Sequence, residues 1–354
     1  MIDLYGWSDE LQAAFAPYAA RGLFPARVIA QHRDLWRLVT RQGETAGRLS
    51  GRFARDAVPG DYPVVGDWLA IGSGADSADA IIHALLPRRT VFSRQAAGGV
   101  GVQIVAANVD VALLVAALNG ALNSRQLERY VVAARESGAT PVIVLTKADL
   151  SENPEDDTRR VTEVAVGVPV VTLSALTGQG VSGLEPWLTP GRTAALLGSS
   201  GAGKSTLLNA LAGCVMMETG AIRGSDDRGR HTTTHRELFR LPGGALLVDT
   251  PGMRELGLLA DTALDESFVD VAALVPNCRF GNCTHETEPG CAVQAALRSG
   301  ALSAERWRAY LKLQRELAFV VRDPAAEAAN RARGKQIHKA QRSKYKLRHR
   351  SEES

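Results

Sequence analysis

Long apolar runs are missing from this chain of 354 residues. None reaches the ~18–20 residues that a membrane-spanning helix requires, and the first residues, MIDLYGWSDELQ, lack the basic and apolar stretches of a secretory signal. Cysteine is also scarce, with four residues in the whole chain. Without an export signal, four cysteines argue against a disulfide framework and for a reducing compartment. We therefore expect a cytoplasmic protein that does not enter a membrane.

The composition otherwise falls in the range of globular proteins, with 45% apolar and 22% charged residues. This balance excludes a largely disordered chain, a collagen-like chain and a coiled-coil rod. At roughly 150 residues per domain, the length predicts two or three domains. A chain of this size can bury a core without disulfide bonds.

Charge is distributed unevenly along the chain, although its net value is only +3 at pH 7. Residues 331–350 contain nine Lys or Arg and no Asp or Glu, whereas the chain before them is mildly acidic. Basic tails of this kind typically contact nucleic acid or another anionic surface. We therefore interpret residues 331–354 as a basic tail that contacts phosphates.

Residues 24–94 have the pattern of a small β domain and follow a partly amphipathic leader, residues 1–23. Five short stretches separated by Gly, Pro and Asp are strand candidates: ARVIAQ, LWRLVT, ETAGRL, VGDWLAI and AIIHALL. Five short strands in about 70 residues favour a small barrel, most simply an OB-fold. A generic β-sandwich and an SH3-like barrel are the alternatives that the pattern leaves open.

The pattern changes to α/β in residues 95–262. Buried strands are predicted at residues 109–118, 141–150, 168–176, 193–201 and 245–252, and helices at residues 124–137 and from residue 204 onward. Continuous apolar strands that alternate with helices indicate a mostly parallel sheet. Residues 263–330 become helical and polar around a cysteine cluster, with a helix predicted at 303–321. The predicted fold class is a multidomain α/β protein.

The segment GSSGAGKS matches the phosphate-binding pattern G-x-x-x-x-G-K-[ST] between a predicted strand and a predicted helix. Its glycines allow backbone N–H groups to surround an anion at the N-terminus of the helix. Lys204 would reach the β- and γ-phosphates, which makes it a candidate catalytic residue, and Ser205 would bind Mg²⁺. The residues expected to contact the nucleotide here are Gly198, Ser199, Ser200, Gly201, Ala202, Gly203, Lys204, Ser205 and Thr206.

A second phosphate element is the motif DTPG at the end of an apolar strand. Asp249 is expected to hold Mg²⁺ through water, and the backbone N–H of Gly252 is expected to face the γ-phosphate. The motif is short, and its position at a strand end downstream of the P-loop is what makes it informative.

Two further strand ends carry residues suited to guanine. In TKAD, the carboxylate of Asp149 can accept from two adjacent donors of guanine that adenine lacks, and the stem of Lys147 can lie along the base. Ser174 and Ala175 begin a short loop that supports the base. GTPases usually carry Asn-Lys-x-Asp, so Thr146 removes the amide that normally ties this loop to the P-loop. The predicted base site consists of Thr146, Lys147, Ala148, Asp149, Ser174 and Ala175.

The order of these motifs along the chain is unusual. The base loop comes first, followed by the supporting loop, the P-loop, a Thr-rich segment and DTPG. In Ras-like GTPases the P-loop comes first, so this order predicts a circularly permuted P-loop GTPase domain. The segment after DTPG leads directly into the cysteine-containing domain, and loss of the γ-phosphate is therefore expected to reposition that domain.

The segment GRHTTT, residues 229–234, is a candidate switch between the P-loop helix and DTPG. Thr233 or Thr234 would complete the Mg²⁺ shell, and a polar loop with incidental threonines is the alternative. Met253 occupies the position where many GTPases carry a water-orienting Gln, and a thioether cannot orient water. His231 is the nearest candidate for that task near neutral pH, unless it is only a solvent-exposed loop histidine.

Three of the four cysteines form the pattern C-x₄-C-x-H-x₅-C with one histidine. Three thiolates and an imidazole complete a tetrahedral Zn²⁺ shell, which is typical of a structural site rather than a catalytic one. Disulfide pairing would leave one of these thiols unpaired. One Zn²⁺ per chain is therefore expected on Cys278, Cys283, His285 and Cys291.

With these motifs in place, the chain resembles the RsgA (YjeQ) family over nearly its full length. The matching features are PVVGDWLAI and LLPRRTVFSR in the barrel, the permuted motif order, GRHTTTH, DTPGMRE and the cysteine pattern. The resemblance implies a GTPase that is stimulated by the small (30S) ribosomal subunit and acts in late maturation of that subunit. It also implies rRNA contact through the OB-fold and the C-terminal helical zinc-binding domain, and it places the family's proposed catalytic histidine on His231.

Two other functions compete with this one. An RNA-binding scaffold whose GTP site only orders the fold would show negligible turnover; Met253 favours it, whereas Lys204, Ser205 and Asp249 argue against it. A DNA-directed OB-fold protein is disfavoured because no segment resembles a helix that reads a DNA groove. No pattern in the sequence specifies oligomerisation, and we therefore expect a monomer.

Overall fold

The computed structural model describes most of the chain up to residue 320. The described ranges are residues 1–32, 35–57, 60–73, 79–95, 102–119, 124–215, 236–249, 264 and 267–320. They contain a β-barrel, an α/β sheet with flanking helices and a small helical region that carries three cysteines. Within these ranges, every helix is too short or too polar to cross a membrane.

The leader folds onto the barrel. It contains a 3₁₀ turn, Ile2–Tyr5, and helix α1, Asp9–Ala19. Helix α1 begins after Ser8, because the Ser8 hydroxyl accepts a hydrogen bond from the backbone N–H of Leu11 at 3.3 Å. Leu11 and Phe15 are buried against Trp68 and Leu86 of the barrel. This burial accounts for the partly amphipathic pattern of the leader.

Five strands close the barrel in the order β1-β2-β3-β5-β4, and β4 pairs back with β1. Their bounds are β1 Phe24–His32, β2 Leu35–Val39, β3 Glu44–Leu49, β4 Trp68–Ser73 and β5 Ala80–Leu85, with helix α2, Gly51–Asp56, between β3 and β4. A register shift in the β1–β2 pairing near Val28 and Ala30 supplies curvature for closure. All five predicted strands are present, and their closed pairing confirms the OB-fold over an open β-sandwich.

A hairpin links the barrel to the α/β sheet, and no pattern in the sequence pointed to it. Its strands are β6 Val91–Gln95 and β7 Val102–Ala107. The backbone of Gly66, just before β4, approaches β7 closely at φ 93°. A Cβ atom at Gly66 would lie 2.0 Å from the carbonyl oxygen of Ala107, so only glycine fits there.

The α/β sheet has the order β10-β9-β8-β11-β13-β12 and is parallel except at β12. The strands are β8 Val111–Ala117, β9 Thr140–Thr146, β10 Val170–Thr172, β11 Thr193–Leu197, β12 Arg236–Arg240 and β13 Leu246–Asp249, and the helices are α3 Ser124–Glu136, α4 Pro154–Val164 and α5 Lys204–Ala212. Strands β9 and β11 are buried along almost their whole length, which explains their continuous apolar runs. The predicted parallel strands are confirmed, while β12 and α4 had not been predicted.

The barrel and the α/β sheet form one continuous sheet of 11 strands. Strand β1 of the barrel pairs antiparallel with β12, with Ala30 opposite Glu237 and Gln31 opposite Arg236. Backbone hydrogen bonds therefore hold the two regions together at this seam.

A buried arginine reinforces the junction. The guanidinium of Arg27 on β1 donates to the carbonyl oxygens of Tyr5, Gly66 and Asn108 and to the hydroxyl of Thr193. These acceptors belong to the leader, the barrel, the start of the α/β sheet and β11. Burial lowers the pKa of Arg27 to about 10, so the side chain is still charged at neutral pH.

The C-terminal region is a small helical unit. Its helices are α6 Val269–Ala272, α7 Ala292–Ser299 and α8 Ala304–Val320, the last close to the predicted helix at 303–321. Phe268, Trp307 and Tyr310 form its aromatic core, with Trp307 stacked on Tyr310 at 5.5 Å. The cysteines lie in the loop between α6 and α7.

A nearly buried ion pair attaches this unit to the α/β sheet. Arg306 on α8 donates to Glu128 on α3 at 2.8 Å and to Asp270 at 3.0 Å. Its guanidinium also lies 4.0 Å from the ring centroid of Phe268. Arg306 is therefore a bridge between the C-terminal helices and helix α3.

Candidate nucleotide site and metal cluster

The P-loop begins where β11 ends and continues into helix α5. Gly198, Gly201 and Gly203 have φ values of 153°, 77° and 88°, which other residues rarely adopt. A Cβ atom at Gly198 would lie 2.3 Å from the carbonyl oxygen of Val115 on β8. The glycines therefore let the loop turn tightly over the end of the sheet, as an anion-binding loop requires.

Lys204 is the first residue of α5, and its ammonium group lies within the loop. Nζ donates to the carbonyl oxygens of Gly198 at 2.8 Å and of Ser199 at 2.6 Å. Ser205 and Thr206 follow in the first helical turn and are partly buried. A lysine and a helix N-terminus at one loop favour binding of a phosphate group.

The base loop follows β9. Lys147 has a left-handed backbone, φ 59°, and starts a 3₁₀ turn, Ala148–Leu150. The backbone N–H of Ala148 donates to the carbonyl oxygen of Leu173 at 3.2 Å, and Asp149 is exposed at the tip. The loop thus presents the carboxylate of Asp149 outward, where a base can reach it.

The supporting loop after β10 is closed by its own hydrogen bonds. The N–H of buried Ser174 donates to the carbonyl oxygen of Gln179 at 2.8 Å, and its hydroxyl accepts from the N–H of Thr177 at 3.2 Å. Ala175 packs against the core of the sheet. The structure therefore places both predicted base elements at neighbouring strand ends, since β9 and β10 are adjacent.

Thr146 connects the base loop to the P-loop. Its hydroxyl donates to the carbonyl oxygen of Ala202 at 2.7 Å. The replacement of Asn by Thr had put this connection in doubt, and the structure shows that the shorter side chain reaches the P-loop backbone directly. Gly203 allows the approach, since a Cβ atom there would lie 3.2 Å from the Thr146 hydroxyl.

Asp249 ends β13, which is parallel to β11 with Val248 beside Ala195. The end of β13 therefore lies at the same edge of the sheet as the P-loop. The side chain of Asp249 is not among the described parts. The remaining predicted phosphate and switch residues, Gly252, Met253, His231, Thr233 and Thr234, also lie outside the described residues.

The four predicted metal ligands are brought together. The ligand atoms of Cys278, Cys283, His285 and Cys291 all lie within 4.8 Å of one another. The sulfurs of Cys278 and Cys291 are 3.9 Å apart, and each lies 3.5 Å from Nδ1 of His285. A tetrahedral zinc ion separates two sulfurs by roughly 3.8 Å and a sulfur from a nitrogen by roughly 3.5 Å, given the usual bond lengths. The cluster therefore fits a zinc-sized metal ion.

Neighbouring groups hold the ligands of this cluster in place. His285 has a left-handed backbone, φ 61°; its carbonyl oxygen accepts from Nε2 of Gln294 at 2.7 Å and its ring meets Trp307 edge to face. The carboxylate of Glu288 accepts hydrogen bonds from the hydroxyl and N–H of Thr284, which lower the pKa of Glu288 to about 2. No pattern in the sequence pointed to Gln294 or Glu288, because their contacts are with backbone groups and with the hydroxyl of Thr284, which only the folded loop brings into reach.

The structure shows how loops in this unusual chain order come together at one edge of the sheet. The base loop follows β9, the P-loop follows β11, and both open at the carboxyl edge of a parallel sheet. This is the arrangement of a circularly permuted P-loop GTPase, a class of GTP-hydrolysing enzymes, carried here together with an OB-fold and a Cys₃His cluster.

Comparisons with known proteins agree with this class. The family model described as RsgA GTPase matches residues 85–259. The small ribosomal subunit biogenesis GTPase RsgA of Opitutus terrae is 47% identical over 97% of both chains. The protein of the same name from Streptomyces coelicolor is 45% identical over 92% of this chain and 89% of its own length. The chain belongs to the RsgA GTPase family.

Two solved structures are similar in fold. The crystal structure of YjeQ from Thermotoga maritima has a TM-score of 0.62 at 27% identity, and covers 84% of this chain and 99% of its own. The structure of YloQ, described as a circularly permuted GTPase, has a TM-score of 0.61 at 24% identity and covers 84% of this chain and 95% of its own.

Proposed function

We propose that this protein acts in late maturation of the small (30S) ribosomal subunit and hydrolyses GTP to GDP and phosphate when the subunit stimulates it. The observation that carries the proposal is the bond between Thr146 and Ala202, which sets a base loop and a phosphate loop at one sheet edge. The relatives that match over most of the chain are named for small ribosomal subunit biogenesis. The activity would be exerted in the cytoplasm by a monomer.

The nucleotide would lie across the two loops. Asp149 would accept from the guanine base, with Lys147 along its face and the loop of Ser174 and Ala175 beneath it. The backbone of the P-loop from residue 198 to residue 206 would surround the phosphates. Lys204 now donates to two carbonyl oxygens of that loop, and in a complex it would turn to the β- and γ-phosphates, where positive charge stabilises the transition state.

Oxygen groups near the phosphates would complete the site. Ser205 and Asp249, with Thr233 or Thr234, supply hydroxyl and carboxylate oxygens of the kind that Mg²⁺ prefers. When bound, Mg²⁺ neutralises charge on the β- and γ-phosphates. We propose that His231 orients the attacking water, because the thioether of Met253 cannot do so. The N–H of Gly252 would face the γ-phosphate.

The barrel and the C-terminal unit would contact rRNA, together with the basic tail, residues 331–354. OB-folds bind single-stranded or irregular nucleic acid, and nine Lys or Arg in the tail suit a phosphate backbone. The cluster of Cys278, Cys283, His285 and Cys291 would hold one structural Zn²⁺ per chain. The proposed units are the leader, the OB-fold, the GTPase domain, the zinc domain and the tail, with boundaries at residues 23, 94, 262 and 330.

The deciding experiment is GTP turnover with and without purified small ribosomal subunits at two salt concentrations. We expect strong stimulation that weakens at high salt, because rRNA contacts release counterions. Lys204→Ala should abolish the stimulated turnover while the protein still sediments with the subunit. Subunit binding without stimulation would support the scaffold alternative, and stimulated turnover that survives Lys204→Ala would contradict the mechanism.

A further inference from the structure

Strand β12 lies between the barrel strand β1 and β13. One of its residues, Glu237, is paired in register with both neighbouring strands. The register sets Glu237 opposite Ala30 of β1 and opposite Asp249 of β13. Facing positions of an antiparallel ladder lie side by side, so Glu237 is the residue of β12 that neighbours position 249, although its carboxylate is bonded to Arg37 on the barrel side. A single strand therefore separates the barrel from the sheet edge where Mg²⁺ and phosphates are proposed to bind.

The charge of Glu237 is balanced by a residue of the barrel. Nη1 of Arg37 on β2 donates to Oε1 of Glu237 at 2.9 Å, and its Nη2 donates to Oε2 of Glu44 at 3.1 Å. The hydrogen bond with Glu44 raises the pKa of Arg37, and the charge of Glu237 raises it further, so Arg37 remains positive. The side chains of Arg37 and Glu237 are 42% and 31% exposed, so solvent weakens the pair without abolishing it.

We propose that Arg37 is a positioning residue for the nucleotide site, where it neutralises Glu237 and so sets the electrostatic potential at position 249 and the neighbouring Mg²⁺ site. The inference rests on the proposed function, since it needs Asp249 at the Mg²⁺ site and GTP on the P-loop. It gives the barrel a direct electrostatic effect on nucleotide binding. An RNA phosphate that competes for Arg37 would uncover the charge of Glu237 and alter the same site.

The test is a double-mutant cycle on Arg37 and Glu237. It measures how strongly release of bound nucleotide depends on the Mg²⁺ concentration. The full chain is loaded with fluorescent GDP, and the rate of GDP release is measured over a range of Mg²⁺ concentrations. The Mg²⁺ midpoint is the concentration at which this rate is reduced by half. Arg37→Met leaves the negative charge of Glu237 uncompensated, which attracts Mg²⁺, so this concentration should fall by about two- to fivefold, the range expected for a half-exposed pair. Glu237→Gln should raise it by a similar factor, and the double variant should return close to the wild-type value.

A second barrel arginine provides the control. Arg48 lies on β3, a strand that is not adjacent to β12, and it forms an ion pair with Asp79 at 2.8 Å. Arg48→Met removes an arginine of the barrel and should leave the Mg²⁺ midpoint unchanged. Thermal unfolding of every variant separates loss of stability from a change in potential.

Three results would overturn the inference. Both single variants could shift the midpoint in the same direction, both could match Arg48→Met, or the double variant could fail to restore the wild-type value. In each case Arg37 and Glu237 only stabilise the seam. Retention of GDP that does not depend on Mg²⁺ in the wild-type protein would also overturn the inference. A wild-type protein that does not bind GDP would instead contradict the proposed function itself.

Discussion

The hydroxyl of Thr146 donates a 2.7 Å hydrogen bond to the carbonyl oxygen of Ala202, and this bond joins the base loop to the P-loop. Thr146 ends β9, whereas Ala202 lies between two glycines in left-handed conformations before α5. The two loops follow strands that are not neighbours in the sheet. The bond therefore fixes the spacing between the places where the base and the phosphates are proposed to lie.

Removing this hydroxyl should weaken nucleotide binding. Thr146→Val keeps the shape of the side chain but leaves the Ala202 carbonyl without its donor, which costs about 1–2 kcal/mol. We expect the affinity for fluorescent GDP to fall roughly five- to thirtyfold. Thr146→Ser retains the hydroxyl and should bind nearly as the wild type does. Equal affinity of the Val and wild-type proteins would show that the bond does not position the loops.

Asp149 should determine the preference for guanine. In Asp149→Ala we expect GDP affinity to fall at least about tenfold, since hydrogen bonds to a charged group contribute about 1.5–3 kcal/mol. The weak competition by ADP should be unchanged, so the ratio of the two affinities should collapse. Glu152→Ala, at an exposed acid three residues further on, is the matched control. Competition titrations against fluorescent GDP measure both quantities, and an unchanged ratio in Asp149→Ala would exclude this role.

The cysteine cluster should account for all tightly bound zinc. Cys283→Ala removes one of the four ligands, and we expect the zinc content to fall well below one per chain and the melting temperature to drop, because metal binding contributes to folding. Cys214→Ala replaces the exposed cysteine outside the cluster and should keep both values. Elemental analysis and thermal unfolding test this, and full zinc occupancy in the Cys283 variant would refute the assignment.

The bridge formed by Arg306 should hold the C-terminal unit on the α/β sheet. Arg306 and Glu128 are 11% and 7% exposed, so Arg306→Met leaves a buried carboxylate unpaired at a cost of about 3–5 kcal/mol. We expect lower stability in urea and faster proteolysis between the two regions. Adding Glu128→Gln should recover part of the loss.

The control for this bridge lies on the same helix. Arg308 is exposed and donates to the carbonyl oxygen of Ala304 in its own helix at 3.0 Å. Arg308→Met should have a small effect on stability. If Arg306→Met resembled it, the bridge would contribute nothing to attachment of the C-terminal unit.

Much of the fold was predictable because its signals are local. The buried strands β8, β9 and β11 are continuous apolar runs, and the five barrel strands are short runs separated by turn residues. The P-loop glycines and the cysteine spacing describe a backbone path and a ligand set within a few residues of chain. Strand β12 and the hairpin of β6 and β7 escaped prediction because their sequences are mixed and their pairing partners decide their conformation.

The candidate site likewise has features that local sequence predicted and features that depend on the tertiary structure. Each loop was identified from its own residues, and Thr146 was recognised as a departure from the usual Asn. Whether the threonine could still reach the P-loop depended on the distance between two strand ends, which no local pattern contains. The contacts of Gln294 and Glu288 within the loop that carries the cysteine cluster could not be predicted for the same reason.

By itself, the sequence determined the P-loop, the Cys₃His ligand set, the carboxylate proposed to recognise the base, and the permuted order in which they occur. Only the tertiary structure decided how the regions are joined. Arg27 finds acceptors in the leader, the barrel and β11, Arg306 bridges two regions, and Arg37 reaches Glu237 across the seam of the sheet. These contacts connect residues distant in sequence, and they exist only because the folded backbone brings complementary charges and hydrogen-bonding groups within reach of one another.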